Sequence, residues 1–404
     1  MKAKSTRFCG IDIGKQKHVA CVIDADGKPL VRSQSFLNDA RGYQLILARL
    51  QQCGGPAKVL IGMEATGHYW YALHDFLTRQ GYRVAVLNPI QTAQQAAMGI
   101  RKNKTDRLDA HHIAVLIKND GHRPALVPGE LAMTCRQLTR LRSSLIRQGS
   151  KIKQLLWSRL QPVWPEYEGL FADPFSPTGR KLLAAAPTPA DVLAMQPEVL
   201  SELIRRASRG KFADAKARQI LQSAQTSVGM RRGLAGARLG IQTLLTALDA
   251  QRPVRQQLEA DIAGLADQLP RHVLTLPGAN AIRAVSLYGE TDPITNFPSP
   301  DQLVAFAGLD CVVFQTGQYE APRRRIGKRG SPFLRQTLWA MASIAVRTEG
   351  PLREFYLRKR RAGLHYLATV TAVAVKVCRI SWRILTDERD YVPSACPTRT
   401  ASLS

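Results

Sequence analysis

The stretch that most constrains this chain is Phe8-Cys9-Gly10-Ile11-Asp12-Ile13-Gly14. A short apolar run carries one aspartate into its end and then turns on glycine. A strand reads this way when it delivers a carboxylate to the rim of a sheet. A lone acid at a rim is common, so Asp12 needs partners. Glu64 ends a second apolar run, Val59-Leu60-Ile61-Gly62-Met63. Asp106 and Asp109 stand in Lys104-Thr105-Asp106-Arg107-Leu108-Asp109-Ala110. Three apart on a helix, they share one face. The plain alternative for this pair is a solvated helix start, where the dipole favours acids. Taken with Asp12 and Glu64, they complete a set of hard oxygen donors for two divalent metal ions and phosphoryl transfer.

The neighbouring pattern predicts what kind of sheet carries them. Strand candidates are Phe8–Ile13, Val19–Ile23, Pro29–Gln34, Val59–Met63 and Arg83–Leu87. Asp26-Gly27 supplies a hairpin turn between the second and third. Helical patterns over Ala40–Gln52 and Tyr69–Gln80 separate the later strands, and a third covers Asn103–Asp120. Three hairpin strands followed by crossover units describe an RNase H-like mixed sheet, so this part of the fold is α/β.

At 404 residues the chain is too long for one compact core. The expected division is 1–125, 126–270, 271–390 and a disordered Ser/Thr/Pro-rich tail, 391–404. Residues 128–165 carry a heptad stripe (Leu131, Leu138, Leu145, Ile152) with Leu141 and Leu155 in a second seam. A second stripe runs through Ile241, Leu248, Ile262 and Leu269, and Pro253 predicts a kink or two shorter helices there. These segments pair either within the chain or between chains, as a coiled coil or as a plain helical core.

The C-terminal part reads as mainly helical. Leu276-Pro277-Gly278-Ala279-Asn280 before an apolar helix resembles a helix-hairpin-helix turn, with Asn280 in the place of the usual second glycine. Asn also tolerates left-handed geometry. A dense basic run follows: Arg323, Arg324, Arg325, Lys328 and Arg329. With Lys104 and Arg335, these are the candidate phosphate contacts. Ser331 before Pro332 reads as a helix N-cap rather than a nucleophile.

Lys plus Arg number 57 against 31 Asp plus Glu, a formal charge of +26. Such an excess points to a polyanionic partner, nucleic acid first. The seven cysteines show no zinc-type spacing and suggest reduced thiols in a cytoplasm. No run of about 18 apolar residues predicts a membrane span.

With both blocks in view, the chain resembles the DEDD transposases of the insertion-sequence class described as bridge-RNA-guided recombinases. The matching residues are Gly10-Ile11-Asp12-Ile13-Gly14-Lys15, Glu64-Ala65-Thr66-Gly67, Asn88-Pro89 and Lys104 to Ala110. In the C-terminal half they are Leu276-Pro277-Gly278, Phe306 to Asp310, Gly317, and Gly327-Lys328-Arg329-Gly330-Ser331 with Leu334-Arg335. The resemblance implies an RNase H-like domain whose Asp12, Glu64, Asp106 and Asp109 bind magnesium, two ions about 3.5–4 Å apart. It implies a serine nucleophile in a serine-glycine pair of the C-terminal transposase domain. Here that place reads Gln315-Thr316-Gly317, so the hydroxyl is threonine's, with Ser331 as the fallback. It also implies DNA ends and target as partners, a guide RNA, a homodimer or homotetramer, and action in a bacterial-type cytoplasm at the nucleoid.

Three other readings compete. A hydrolytic junction-resolvase-type nuclease would use the same acids with water. A sugar kinase of the actin-like fold also opens with a strand, an aspartate and glycines, but the charge and the Asp-x-x-Asp pair fit it poorly. A transposase relic would bind nucleic acid without cutting it.

Overall fold

The computed structural model describes residues 6–64, 67–87, 106–119, 127–212, 214–312, 315–316, 319–320 and 325–393. Elements are numbered through these residues. The chain divides into two compact units, Met1–Pro128 and Gly129–Ser404.

The first unit is one sheet between helices. Its strands are β1 (Arg7–Asp12), β2 (Lys17–Asp24), β3 (Pro29–Leu37), β4 (Val59–Glu64) and β5 (Arg83–Leu87). Their order is β3-β2-β1-β4-β5. The β1–β2 and β2–β3 pairs are antiparallel, and the β1–β4 and β4–β5 pairs are parallel. The hairpin-then-crossover order is the one expected from the sequence. The third strand runs on to Leu37, past the expected Gln34, with register shifts opposite Ala20, Val22 and Ile23.

Alternation on β1 decides which side chains go where. Cys9 and Ile11 are buried with Tyr43, Ile46 and Leu50 of α1 (Ala40–Gln52). Leu73 and Leu77 of α3 (Trp70–Arg79), which follows the short α2 (Gly55–Lys58), join the same core. The opposite face carries Gly10 and receives α4 (Asp106–Lys118), whose Ala110 and Ala114 are buried with Val19, Cys21 and Ile23. Asp12, two residues after Gly10, therefore shares the α4 face. Glu64, two after Gly62, shares it as well.

The second unit is helical. Two helices of 31 residues, α5 (Glu130–Leu160) and α10 (Leu234–Gly264), run antiparallel against each other. Arg142 donates to Glu259 at 2.9 Å, and the Gly149 backbone lies close to Gln251 and Leu248. Between them the chain forms α6 (Pro177–Ala185), α7 (Pro189–Leu193), α8 (Pro197–Ala207) and α9 (Asp214–Gln225). These bury Trp164, Tyr167, Leu183 and Ile204 with Leu156 and Leu160 of α5 and Ile241 and Leu245 of α10. The other end of the pair joins a second core. It contains α11 (Arg271–Leu274), α12 (Ala281–Thr291), α13 (Pro300–Phe306), α14 (Pro332–Ala345), α15 (Pro351–Arg361) and α16 (Tyr366–Asp387).

The heptad stripes thus meet inside one chain. Leu131, Leu138 and Leu145 pack on the C-terminal core, and Ile152 and Leu248 on the other. Within the one chain the second seam stays uncovered: Leu141 and Leu155 are 50% and 52% exposed. Pro253 does not split its helix, since α10 continues through it. At the Pro277-Gly278 turn, Asn280 is extended rather than left-handed and caps α12 by accepting from the Arg283 N–H. Of the expected tail, residues 394–404 lie outside the described residues.

Candidate active site

Parallel pairing sets the first two acids side by side. Ile11 is in register with Met63, so Asp12 and Glu64 end adjacent strands at the same edge. The helix brings the other two. Asp106 and Asp109 lie in the first turn of α4, which packs across β1, β2 and β4. The close approach depends on glycine. A Cβ at Gly10 would stand 2.1 Å from the Ala110 carbonyl oxygen and 2.4 Å from the Ala114 nitrogen. One at Gly62 would stand 2.7 Å from Ile117 Cγ2. Gly10→Ala is expected to lower the stability of this unit by about 2–3 kcal/mol, the cost of overpacking against fixed backbone. A denaturant midpoint unchanged by that substitution would mean α4 is not seated on β1.

Asp12 feels the other three acids. Its carboxyl is pushed up to about 6, by burial first and then by Asp109, Asp106 and Glu64 in that order. The Ile13 N–H opposes the rise. Asp12, Glu64 and Asp109 are half-buried and Asp106 is exposed. The group is gathered but open: among the described residues, no three His, Cys, Asp or Glu side chains already stand so as to hold an ion. The donor set is four carboxylates with no thiolate or imidazole. That chemistry fits a hard divalent cation, and a cation would relieve the repulsion that raises Asp12. The sequence analysis did not find His18. It is buried, and its Nδ1 accepts from the Gly14 N–H at 3.3 Å, pinning the turn that follows Asp12.

The C-terminal block is built differently from the sequence expectation. Between α13 and α14 the backbone forms two small antiparallel ribbons, where only helix and basic loop were expected. β6 (Cys311–Val312) pairs with β9 (Arg325–Ile326), and β7 (Gln315–Thr316) pairs with β8 (Tyr319–Glu320). Thr316 is thus the last residue of β7, opposite Tyr319. Two-residue strands carry too little periodicity to be read from sequence. Lys104, Arg323 and Arg324 lie outside the described residues, and Arg325 is placed only as backbone in β9. Lys328 and Arg329 are exposed. Arg335 spends one donor internally, on the Ala307 carbonyl at 3.0 Å.

Ser331 is held on two sides. It accepts from the Leu334 N–H at 3.2 Å as the N-cap of α14, and its hydroxyl donates to Glu290 at 2.7 Å. Glu290 is 3% exposed and takes both Nε and Nη2 of Arg140, at 2.7 and 3.0 Å. The sequence reading missed Glu290 and Arg140. The only signal was an acid next to Gly289 at the end of an apolar helix. A hydroxyl that is 6% exposed and committed to a cap and a carboxylate suits structure better than attack. Ser331→Ala is expected to cost about 1–2 kcal/mol, seen as a lower denaturant midpoint at unchanged slope. A neutral effect would contradict the cap.

A mixed sheet in this order, with carboxylates at the edge beyond its parallel strands, defines an RNase H-like unit. Residues 9–165 match the family model of the DEDD transposases of the IS110 type, and residues 271–357 match the model described as the transposase IS116/IS110/IS902 family. The chain belongs to this transposase family. It is 25% identical over 409 residues to the uncharacterized 44.8 kDa protein of insertion element IS116 from Streptomyces clavuligerus, covering 98% of both chains. It is 26% identical over 401 residues to the uncharacterized 42 kDa protein of insertion element IS900 from Mycobacterium paratuberculosis, covering 96% of this chain and 97% of that one. A solved structure of T. thermophilus RuvC in complex with a Holliday junction substrate covers 30% of this chain and 99% of its own, at 13% identity and a TM-score of 0.23. The strand order, not that alignment, defines the fold. No helix among the described residues is long and apolar enough to cross a membrane.

Proposed function

We propose that this protein is the DNA-cutting and rejoining enzyme of an insertion sequence, acting through a covalent protein–DNA intermediate. The observation that carries the reading is the coupling of Asp12 to Asp109, Asp106 and Glu64 at one sheet edge, in a chain of a transposase family. Asp12, Glu64, Asp106 and Asp109 would hold magnesium, two ions per site. The ions would supply Lewis-acid stabilisation of phosphate charge. Lys328 and Arg329, with Lys104, Arg323, Arg324, Arg325 and Arg335, would neutralise and orient the DNA backbone. Thr316 Oγ1 would attack the scissile phosphorus as its proton leaves. The P–O3′ bond breaks, the 3′-oxygen takes up a proton, and a threonine–phosphate ester forms. A 3′-hydroxyl from another strand then attacks that ester, joins the strands and returns the threonine hydroxyl.

The partners in this reading are the element ends and target DNA, a structured guide RNA, and further copies of the chain in a dimer or tetramer. It acts in the cytoplasm, at the nucleoid. The test is a denaturing gel of protein, Mg²⁺, flanking RNA and end-labelled element-junction DNA. Label retained on the protein and mapped to Thr316 supports the reading. Cut DNA without adduct would replace it with a hydrolytic nuclease that uses water.

A further inference from the structure

The C-terminal hairpin of α15 and α16 carries a cation cluster that the site above does not use. Three cations surround one ring, that of Phe355. Lys376 Nζ lies 4.5 Å from its centroid, Arg358 Cζ 5.6 Å and Lys359 Nζ 5.8 Å. The platform is fixed, because Leu352 is buried in the C-terminal core and Phe355 and Tyr356 pack against it. Neighbouring arginines are neutralised: Arg353 faces Glu349 at 3.6 Å, Arg379 faces Asp301 at 2.9 Å and Arg383 faces Asp387 at 2.8 Å. Arg358, Lys359 and Lys376 make no ion pair among the described residues. Arg361 and Arg360 extend the cluster, the latter also donating to the Leu364 carbonyl.

Three like charges gathered on one ring repel each other. The ring quadrupole and the helix C-terminus offset part of that cost. An external polyanion would offset the rest. We propose that the Phe355 platform is a backbone contact for duplex DNA. Duplex fits better than single strands because cations crowd the one ring of the platform, leaving little of it for base stacking. The contact is to phosphates, which carry no sequence information, so it is independent of sequence. The inference rests on the transposase reading for its choice of DNA.

The test uses the full chain and a 30-bp duplex of arbitrary sequence, with binding measured by anisotropy across a salt series. The triple variant Arg358→Gln, Lys359→Gln, Lys376→Gln is expected to reduce the slope of log affinity against log salt by about 2–3, close to one per lost phosphate contact. The control triple Arg353→Gln, Arg379→Gln, Arg383→Gln removes equal charge from paired positions and is expected to change the slope less. Equal changes in both triples, or no change in the first, would overturn the proposal. So would a slope that falls only for an RNA hairpin of matched length. Failure of the unaltered protein to bind DNA at all would instead sink the transposase reading, and this contact with it.

Discussion

Asp12→Asn is expected to abolish DNA cleavage while making the metal-free protein more stable. The first effect follows if Asp12 holds the ions that stabilise phosphate charge, and the expected loss is roughly 10²–10³-fold or more. The second follows from the electrostatics of the folded state. Burial and three neighbouring acids push the Asp12 carboxyl up to about 6, from 3.8 in the ordinary case. A raised carboxyl pKa stabilises the fold only while the group is protonated. That contribution is complete below about pH 4 and is lost as pH rises through about 6. At pH 7 without divalent ions, the native protein carries a half-buried charge beside three others. Asparagine removes it, so Tm is expected to rise by several degrees at pH 7 and to change little near pH 4. Mg²⁺ is expected to raise the Tm of the native protein and to do much less for the variant. DNA binding, dominated by the basic surface, is expected to survive. A variant that still cuts, or whose Tm falls at pH 7, would remove Asp12 from the metal site.

Thr316→Ala is expected to eliminate the protein–DNA adduct, and Thr316→Ser to keep it or raise it. Serine's primary hydroxyl is less hindered than threonine's, so the same in-line approach meets less steric opposition. Adduct measured on a denaturing gel separates the outcomes. If Thr316→Ala still forms adduct and Ser331→Ala does not, the nucleophile is Ser331, despite its buried bond to Glu290. If neither variant changes cutting and no adduct forms in any of them, water is the nucleophile and the hydrolytic reading takes over.

The first unit was legible because its signals are local. Apolar runs ending in Asp12 and Glu64, with Asp26-Gly27 between hairpin strands, specify both strand order and the acid edge. Less accessible was the reason α4 can sit there. That rests on Gly10 and Gly62 as contact points, and a glycine inside a strand has several meanings until the packing is known. Leu141 and Leu155 stay exposed within the chain, because a heptad match scores spacing and says nothing about which helix covers it. Glu290 and Arg140 were hidden for a related reason. An ion pair with only its acid buried joins residues 150 positions apart, and neither belongs to a motif.

The long antiparallel pair α5–α10 has a consequence for synthesis on the ribosome. The described core of the sheet unit takes its last residue at Val127, so that unit can close early. The bundle around Trp164 can close once Leu248 is out. The last core cannot. It takes Cys135 from α5, Ile262 from α10 and Val370 to Leu385 from the final long helix, so α5 leaves the ribosome with its apolar N-terminal half uncovered. That half waits while roughly two hundred more residues are made, about 10–40 s at usual elongation rates. A nascent chain stalled before α16 would therefore present a finished acid edge and an unfinished, sticky second half.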